Sequence, residues 1–108
     1  MIARVWHGVV PVEKAEGYGK YLSDSDRGVP DYRRTPGNRG AWLLRDARGD
    51  RVHFLLISLW ESRAAIEAYA GPDIERAQYF PYDLECLVGP DRDVMHYEVV
   101  IAPDPGMA

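Results

Sequence analysis

The sequence predicts one α+β domain in which strands and helices follow one another in the order β, α, β, β, α, β. Its 108 residues match the commonest size of a single domain, and a hydrophobic fraction of 46% is enough to build one core. Four segments are rich in β-branched and aromatic residues, as strands are. Other segments repeat apolar residues at the spacing of a helix face. Together, these observations indicate a sheet covered by helices.

A strand and an amphipathic helix open the chain. Residues 2–10 are rich in β-branched and aromatic types, and Pro11 ends the strand because proline has no N–H for a sheet ladder. Residues 12–24 repeat apolar side chains at helical spacing, which predicts the helix. Gly17 and Gly19 lie inside this helix, and each costs about 1 kcal/mol relative to alanine. They indicate either close packing against the sheet or a frayed helix.

A connection without a periodic pattern follows at residues 25–37. It is dense in proline, glycine and aspartate, so we expect an exposed loop without secondary structure. Long loops of this kind often cover a binding site or an interface. Tyr32 is therefore a candidate contact between this loop and a ligand.

Residues 41–46 and 52–60 are predicted to form a β-hairpin around a turn that contains Gly49. The second strand is mostly apolar on both faces, since Phe54 and Leu56 alternate with Leu55 and Ile57. An antiparallel sheet usually leaves one face to water. This strand therefore predicts helices on one face of the sheet and the sheet of a second copy on the other, that is, a homodimer.

A broken helix and a fourth strand complete the pattern. Ser62 is a favourable N-cap for a helix that ends at Gly71. A second short helical piece is predicted over residues 73–80, where Pro81 stops it. After an irregular stretch, residues 93–101 form the last predicted strand.

These elements define a ferredoxin-like topology, with an antiparallel sheet and both helices on one of its faces. The domain is expected to span residues 1–102. Residues 103–108 are expected to form a C-terminal tail.

Composition excludes several classes of function. Seventeen acidic and thirteen basic residues give a net charge of −4, which disfavours nucleic acid as a partner. The longest apolar run, residues 54–60, is too short to cross a membrane as a helix. Cys86 is the single cysteine, so neither an intrachain disulfide nor a pair of zinc-binding cysteines is available. We expect a cytoplasmic protein with no membrane partner and no bound metal.

Five segments resemble antibiotic biosynthesis monooxygenase domains. They are the opening MIARVW strand, TPGNRGAWLL, FLLISLWESRAAIEAYAG, DIERAQYFP and the closing HYEVV strand. The resemblance runs from Met1 to about Val100, and its most specific part is the Trp-Glu-Ser turn followed by an alanine-rich helix. It implies a protomer whose sheet meets that of a second copy in a dimeric α+β barrel. It also implies a pocket between helices and sheet in each protomer.

Members of this family differ in activity, so the fold does not choose among them. Some oxygenate polycyclic phenols or anthrones without metal or flavin, some act on quinols or small signalling molecules, and some bind and degrade haem. In the haem-degrading members, an asparagine, an aromatic residue and a haem-ligating histidine correspond approximately to His7, Tyr69 and Tyr79. The histidine is absent here, although a tyrosinate can also ligate haem iron. In the phenol-oxygenating members, the matching asparagine and tryptophan correspond to Leu56 and Trp60.

The leading hypothesis is a monooxygenase that acts on a small phenol, anthrone or quinol without a cofactor. Such an enzyme needs a base or hydrogen-bond partner near the substrate hydroxyl and an apolar pocket that shields the intermediate. Histidine is a candidate base, tyrosine can donate to an oxyanion, and tryptophan and phenylalanine can stack on rings. The candidate catalytic residues are Trp60, Tyr69, Tyr79 and His7, and the candidate substrate-binding residues are Phe54, Tyr32 and Asn38.

Each candidate also has a structural interpretation. Strand histidines such as His7, His53 and His96 are often surface or packing residues, and Trp60 can serve as a core anchor. Asn38 lies between two glycines, where a turn accounts for it. Two other functions therefore stay open, a non-enzymatic ligand-binding or regulatory dimer and a haem-binding protein.

Overall fold

The protein folds into a four-stranded antiparallel sheet with helices on one face, as seen in a computed structural model that describes residues 1–102. The sheet order β2-β3-β1-β4 is that of the predicted ferredoxin-like topology, which is confirmed. The predicted tail, residues 103–108, lies outside the described residues. The elements are β1 (Ile2–Pro11), α1 (Val12–Asp24), α2 (Val29–Arg34), β2 (Asn38–Arg48), β3 (Arg51–Trp60), α3 (Arg63–Ala70), α4 (Pro81–Cys86) and β4 (Met95–Glu98).

The register of the two central strands assigns side chains to the two faces of the sheet. In β1 and β3, Arg4 lies opposite Ser58 and Trp6 lies opposite Leu56. Because strand side chains alternate, these four share the face that the helices cover. The core is built there from buried residues that include Val10, Tyr18, Leu22, Phe54, Trp60 and Ile66.

The opposite face of the sheet carries apolar side chains that no element among residues 1–102 covers. Leu44, Met95 and Tyr97 are 49%, 57% and 53% exposed. Leu55 and Ile57 lie between them in β3 and are half-buried. One protomer alone thus leaves a continuous apolar surface open to water.

Helix α1 runs without a break through both of its glycines. A Cβ atom at Gly19 would lie 3.4 Å from the Phe54 ring, and one at Gly17 would lie 3.7 Å from the Tyr82 hydroxyl. Both distances are ordinary van der Waals contacts. Close packing against the sheet therefore does not require glycine at either position.

The expectation of a loop without secondary structure over residues 25–37 is wrong. Residues Val29–Arg34 form α2, which has Pro30 in its first turn, where a missing N–H costs nothing. Val29 is buried in the core and anchors the helix. Gly28 permits the turn before α2, because a Cβ atom there would overlap the backbone of Leu22. The loop-like composition conceals one short, well-anchored helical segment.

The second helical piece is also in a different place from the one predicted. Residues 73–80 are not helical, and Pro81 starts α4 instead of ending a helix. The Phe80 N–H donates to the Asp83 carboxylate at 2.8 Å, which caps the new helix. Backbone groups of Glu75 and Ala77 instead bond to the segment that precedes β4, at 2.7 and 2.9 Å. These bonds replace those of a helix.

The remaining boundaries differ by a few residues. Strand β2 begins at Asn38, before the predicted start at residue 41, and β4 ends at Glu98, before the predicted end at residue 101. The hairpin turn is confirmed, with Gly49 at a φ of 63°. The cap of α3 is also confirmed, since the Ala65 N–H donates to the Ser62 hydroxyl at 3.2 Å. Within residues 1–102, no helix has the length and apolarity needed to span a membrane.

Candidate functional site

A cavity lies between the helical layer and the sheet, on the face of β1 that carries Arg4 and Trp6. It encloses about 50 Å³. That volume is enough for a few water molecules. The side chains that shape it come from β1, α1, α2, α3 and the segment before α4: Arg4, Trp6, Tyr18, Tyr32, Tyr69 and Tyr79.

Arg4 places a positive charge inside this cavity. Its side chain is 3% exposed, and Nη2 donates to the carbonyl oxygens of Ile74 and Arg76 at 3.5 and 3.3 Å. The Nε–H is buried and has no partner among residues 1–102. None of the ion pairs within this range includes Arg4. Because a buried charge without a counter-charge is costly, the guanidinium is incompletely compensated.

An aromatic cluster stands beside Arg4. The ring centroids of Tyr32 and Tyr69 are 4.5 Å apart, and Trp60 lies 5.4 Å from Tyr69. Burial raises the pKa of Tyr69, and the neighbouring Tyr32 raises it further. Burial also raises the pKa of Tyr32, whereas Arg4 and Tyr69 lower it. Both phenols are therefore neutral near pH 7 and retain their hydroxyl protons for hydrogen bonding.

Trp6 and Tyr79 form a second wall. The Trp6 Nε1–H donates to the Tyr79 hydroxyl at 3.1 Å, and that hydroxyl donates to the Asp91 carbonyl at 2.5 Å. Burial raises the pKa of Tyr79, against a smaller opposing effect of the Trp6 bond. The hydroxyl proton of Tyr79 is thus already engaged, and its ring is held in a fixed position.

The carboxylate of Asp83 lies at the far wall and is fully engaged. The Tyr18 hydroxyl donates to its Oδ1 at 2.7 Å, and the Phe80 N–H donates to its Oδ2 at 2.8 Å. Burial, followed by the bond to Asp83, raises the pKa of Tyr18. Arg27 lies at the same end of the cavity, with its guanidinium 4.5 Å from the centre of the Phe80 ring. Neither charge forms an ion pair with the other or with Arg4.

Three of the seven candidate site residues meet at the cavity: Tyr32, Tyr69 and Tyr79. Trp60 lies behind Tyr32 and Tyr69 and is 0% exposed. Its indole N–H donates to the Ser58 hydroxyl at 2.8 Å, so both its ring and its donor are used within the core. Trp60 therefore supports the wall from behind.

The other three candidates lie elsewhere. Phe54 packs against Tyr18 in the core, with ring centroids 5.7 Å apart. Asn38 accepts a hydrogen bond from the Gly40 N–H at 2.9 Å, as its interpretation as a turn residue implies. His7 points to the uncovered face of the sheet, because it alternates with Trp6.

On that uncovered face, His7 forms a pair with His53. The Nε2 of His7 is 2.9 Å from the Nδ1 of His53, and its Nδ1 is 3.1 Å from the Asp91 carboxylate. One imidazole must donate and the other must accept. Asp91 therefore contacts both faces of the sheet, since its carbonyl accepts from Tyr79 and its carboxylate contacts His7.

Sequence reasoning missed Arg4, Gln78 and Asp83 as cavity residues. Arg4 could have been found from the sequence, because side chains along β1 alternate between the two faces of the sheet and Arg4 therefore shares a face with Trp6. A charged residue in that position is buried unless the strand is at the edge, and β1 is central. Within residues 1–102, no group of three or more histidine, cysteine, aspartate or glutamate side chains is arranged to hold a metal ion.

Comparison with known proteins identifies the fold. No family model and no curated protein matches the chain. The solved structure of the haem-degrader MhuD from Mycobacterium tuberculosis, with two haems bound in its active site, is similar at a TM-score of 0.63. That match has 24% identity and covers 96% of this chain and 100% of that one. A point mutant of MhuD with two manganese protoporphyrin IX molecules per active site matches at a TM-score of 0.64 and 22% identity, over 96% and 99% of the two chains. The chain thus has the fold of MhuD, and the fold implied by its resemblance to antibiotic biosynthesis monooxygenase domains is confirmed.

Proposed function

We propose that this protein oxygenates a small aromatic phenol, anthrone or quinol in the cavity between its helices and its sheet. The observation that carries the proposal is the cavity itself, which combines tyrosine and tryptophan walls with one incompletely compensated cation. Aromatic walls suit a planar substrate, and a site with little water protects a reactive intermediate. The antibiotic biosynthesis monooxygenase fold supports the same class of reaction.

The reaction needs no reductant beyond the substrate. In the oxygenation of an anthrone, the ring CH₂ loses two hydrogens and gains one oxygen atom as a ketone. The second oxygen atom of O₂ leaves with those two hydrogens as water. The side chains bind and orient the ring, exclude water, and stabilise the substrate anion from which O₂ takes electrons.

The cavity of about 50 Å³ is smaller than the substrate. Typical small-molecule sites enclose about 300 to 1,000 Å³. Substrate binding therefore requires a wall to move. Tyr32 and Tyr79 are wall residues outside the sheet, on α2 and on the segment before α4, so a displacement of either side chain would widen the site without disturbing the sheet.

The cavity does not supply the usual ligand of a haem iron. No histidine is among the described side chains that line it. Tyr79, which corresponds approximately to the haem-ligating histidine of the haem-degrading members, has its hydroxyl engaged by Trp6 and Asp91.

We also propose that the protein forms a homodimer through the uncovered face of the sheet and acts in the cytoplasm. The exposed apolar side chains of Leu44, Met95 and Tyr97 support the first part. The single unpaired Cys86 is consistent with a reducing compartment.

The test is oxygen consumption by the purified, metal-free protein with a panel of anthrones, naphthols and quinols. We expect turnover that falls at least about tenfold in Tyr69→Phe, which removes a hydroxyl from the cavity wall. Tyr82→Phe is the matched control, because its ring packs against Tyr21, 4.7 Å away between centroids, and is not among the side chains that line the cavity. It should retain the wild-type rate.

Silence of the folded protein with the whole panel would contradict the oxygenase function. If ligands from the panel then bound without oxygen uptake, the protein would be a non-enzymatic binding or regulatory dimer. A Soret band after addition of haemin, lost in Tyr79→Phe, would instead support haem binding through Tyr79.

A further inference from the structure

Resting on that proposed function, we propose that Arg4 binds the substrate as a planar aromatic oxyanion, and that this cation, rather than a side-chain base, sets the ionisation of the substrate. The ligand class is a phenolate or enolate, or an aromatic carboxylate of similar size. Nothing in the sequence pattern assigns Arg4 a role.

The guanidinium of Arg4 is buried and has an N–H group without a partner among the described residues. Arg4 is 97% buried, since only 3% of it is exposed, and its Nε–H has no partner among residues 1–102. The two hydrogen bonds that its Nη2 donates, at 3.5 and 3.3 Å, are long and go to neutral carbonyls. An arginine stays protonated under all ordinary conditions. The cavity therefore holds a permanent cation with an unused donor.

Among residues 1–102, no carboxylate of the neighbouring elements forms an ion pair with this cation. Tyr32 and Tyr69 face it from α2 and α3 as neutral phenols. His96 lies beside it in β4, and burial, Arg4 and Arg63 lower the pKa of this imidazole, so that it is neutral. Glu75 acts on His96 in the opposite direction but forms no ion pair with Arg4.

Among residues 1–102, the other charged groups at the cavity form no ion pair with Arg4 either. The Asp83 carboxylate is engaged by Tyr18 and Phe80, and Arg27 adds a second positive charge at that end. A neutral oxygen could accept the Arg4 hydrogen bond but would leave the charge uncompensated, whereas an oxyanion would satisfy both. Because a hydrogen bond between two charged groups is the stronger one, we expect a preference of about tenfold or more for the anion.

The same cation favours loss of the hydroxyl proton of a bound phenol. A cation within contact distance stabilises the ionised form of a phenol and lowers its pKa. The O–H bond then breaks with its electron pair left on oxygen, and the proton passes to solvent water. No imidazole has to reach the substrate, which agrees with the position of His7 on the opposite face of the sheet.

The first experiment uses 4-nitrophenol, whose ionised form absorbs visible light. A pH titration with the protein in excess should show the apparent pKa of the bound phenol at a lower value than that of the free phenol. The shift should disappear in Arg4→Met and persist in Arg27→Gln, which tests whether the other cavity cation is responsible. An unshifted titration of bound 4-nitrophenol, or a shift retained in Arg4→Met, would overturn the proposal.

Arg4→Met removes a buried residue and could prevent folding, so the second experiment uses the wild-type protein. The ¹⁵N–¹H signal of the Arg4 Nε–H should move on addition of benzoate but not on addition of benzamide. Benzoate should also bind about tenfold more tightly. Equal affinity for the two ligands, or an Nε–H signal that benzoate leaves unchanged, would contradict an anion site at Arg4.

The outcomes separate this proposal from the oxygenase function. Anion binding at Arg4 without oxygen uptake from any phenol would uphold the anion site and refute the oxygenase. Oxygen uptake at the wild-type rate in a folded Arg4→Met protein would uphold the oxygenase and refute the role of Arg4. Arg4→Lys keeps the charge but not the planar group, so it should retain part of the 4-nitrophenol shift.

Discussion

At the scale of single residues, the bond between Tyr18 and Asp83 joins α1 to α4 at the edge of the cavity. Both side chains are buried, with 0% and 6% of their surface exposed. The 2.7 Å hydrogen bond is one of two that the Asp83 carboxylate accepts from residues 1–102. A buried carboxylate that loses one of two donors pays a desolvation cost that no water recovers.

Replacement of Tyr18 by phenylalanine tests this bond. We expect Tyr18→Phe to lower the free energy of unfolding by about 1–3 kcal/mol, because Asp83 is left with an unsatisfied oxygen. Urea denaturation followed by circular dichroism measures the difference. Tyr82→Phe, which removes a hydroxyl from a side chain that is 38% exposed, should change it by less than about 0.5 kcal/mol. Equal stability of Tyr18→Phe and the wild type would show that the bond contributes nothing.

At the scale of elements, two glycines that look alike in sequence have different physical roles. In β1, a Cβ atom at Gly8 would overlap the Trp6 ring and lie 2.8 Å from a methyl carbon of Leu87. In α1, a Cβ atom at Gly17 would meet only the Tyr82 hydroxyl at 3.7 Å. Strand β1 needs its glycine so that Trp6 can lie across the strand beside the cavity, whereas α1 does not need its own.

Alanine at these two positions should therefore act in opposite directions. Gly17→Ala should raise the free energy of unfolding by about 0.5–1 kcal/mol, since alanine is the better helix former. Gly8→Ala should lower it by about 1–3 kcal/mol through overpacking and should also change the tryptophan fluorescence. Thermal unfolding of both variants provides the measurement. A stabilised Gly8→Ala protein would mean that Trp6 is free to move.

The elements also show which sequence signals are ambiguous. The β1–α1 unit, the hairpin and the Ser62 cap were predictable, because period, turn residue and cap each act locally. Whether Pro81 ends one helix or begins the next was not predictable, because proline is common at both positions. The choice depended on the bonds of residues 75 and 77 to the segment before β4, which are contacts between distant parts of the chain.

The candidate site was predicted only in part, for the same reason. Tyr32 was suggested by its place in a long connection, and Tyr69 and Tyr79 were suggested by the family resemblance and by the hydrogen bonds that tyrosine can donate. Arg4 was overlooked because an arginine near a chain end ordinarily lies in water. Its burial follows from the central position of β1, which only the assembled sheet order reveals.

At the scale of the whole molecule, the uncovered face of the sheet predicts the assembly. The protein should have twice its chain mass of 12.2 kDa in light scattering at micromolar concentration. Ile57→Asp should produce a monomer, because it places a charge in the middle of that apolar face. Leu84→Asp is the control, since Leu84 is 57% exposed on α4 and should leave the dimer intact. A monomeric wild type would refute the dimer.

The alternation of side chains along β1 gives this strand two separate sets of contacts, and the consequence appears in how it tolerates different kinds of genetic change. Point substitutions at Arg4 or Trp6 affect the cavity, and those at Val5 or His7 affect the opposite face. Either the cavity lining or the uncovered face can therefore change in sequence while the other stays the same. Loss of one codon within the strand would exchange the two sets, since a shift of one residue turns every side chain to the other face. Variation in this strand should therefore consist of substitutions, with insertions and deletions confined to the turns.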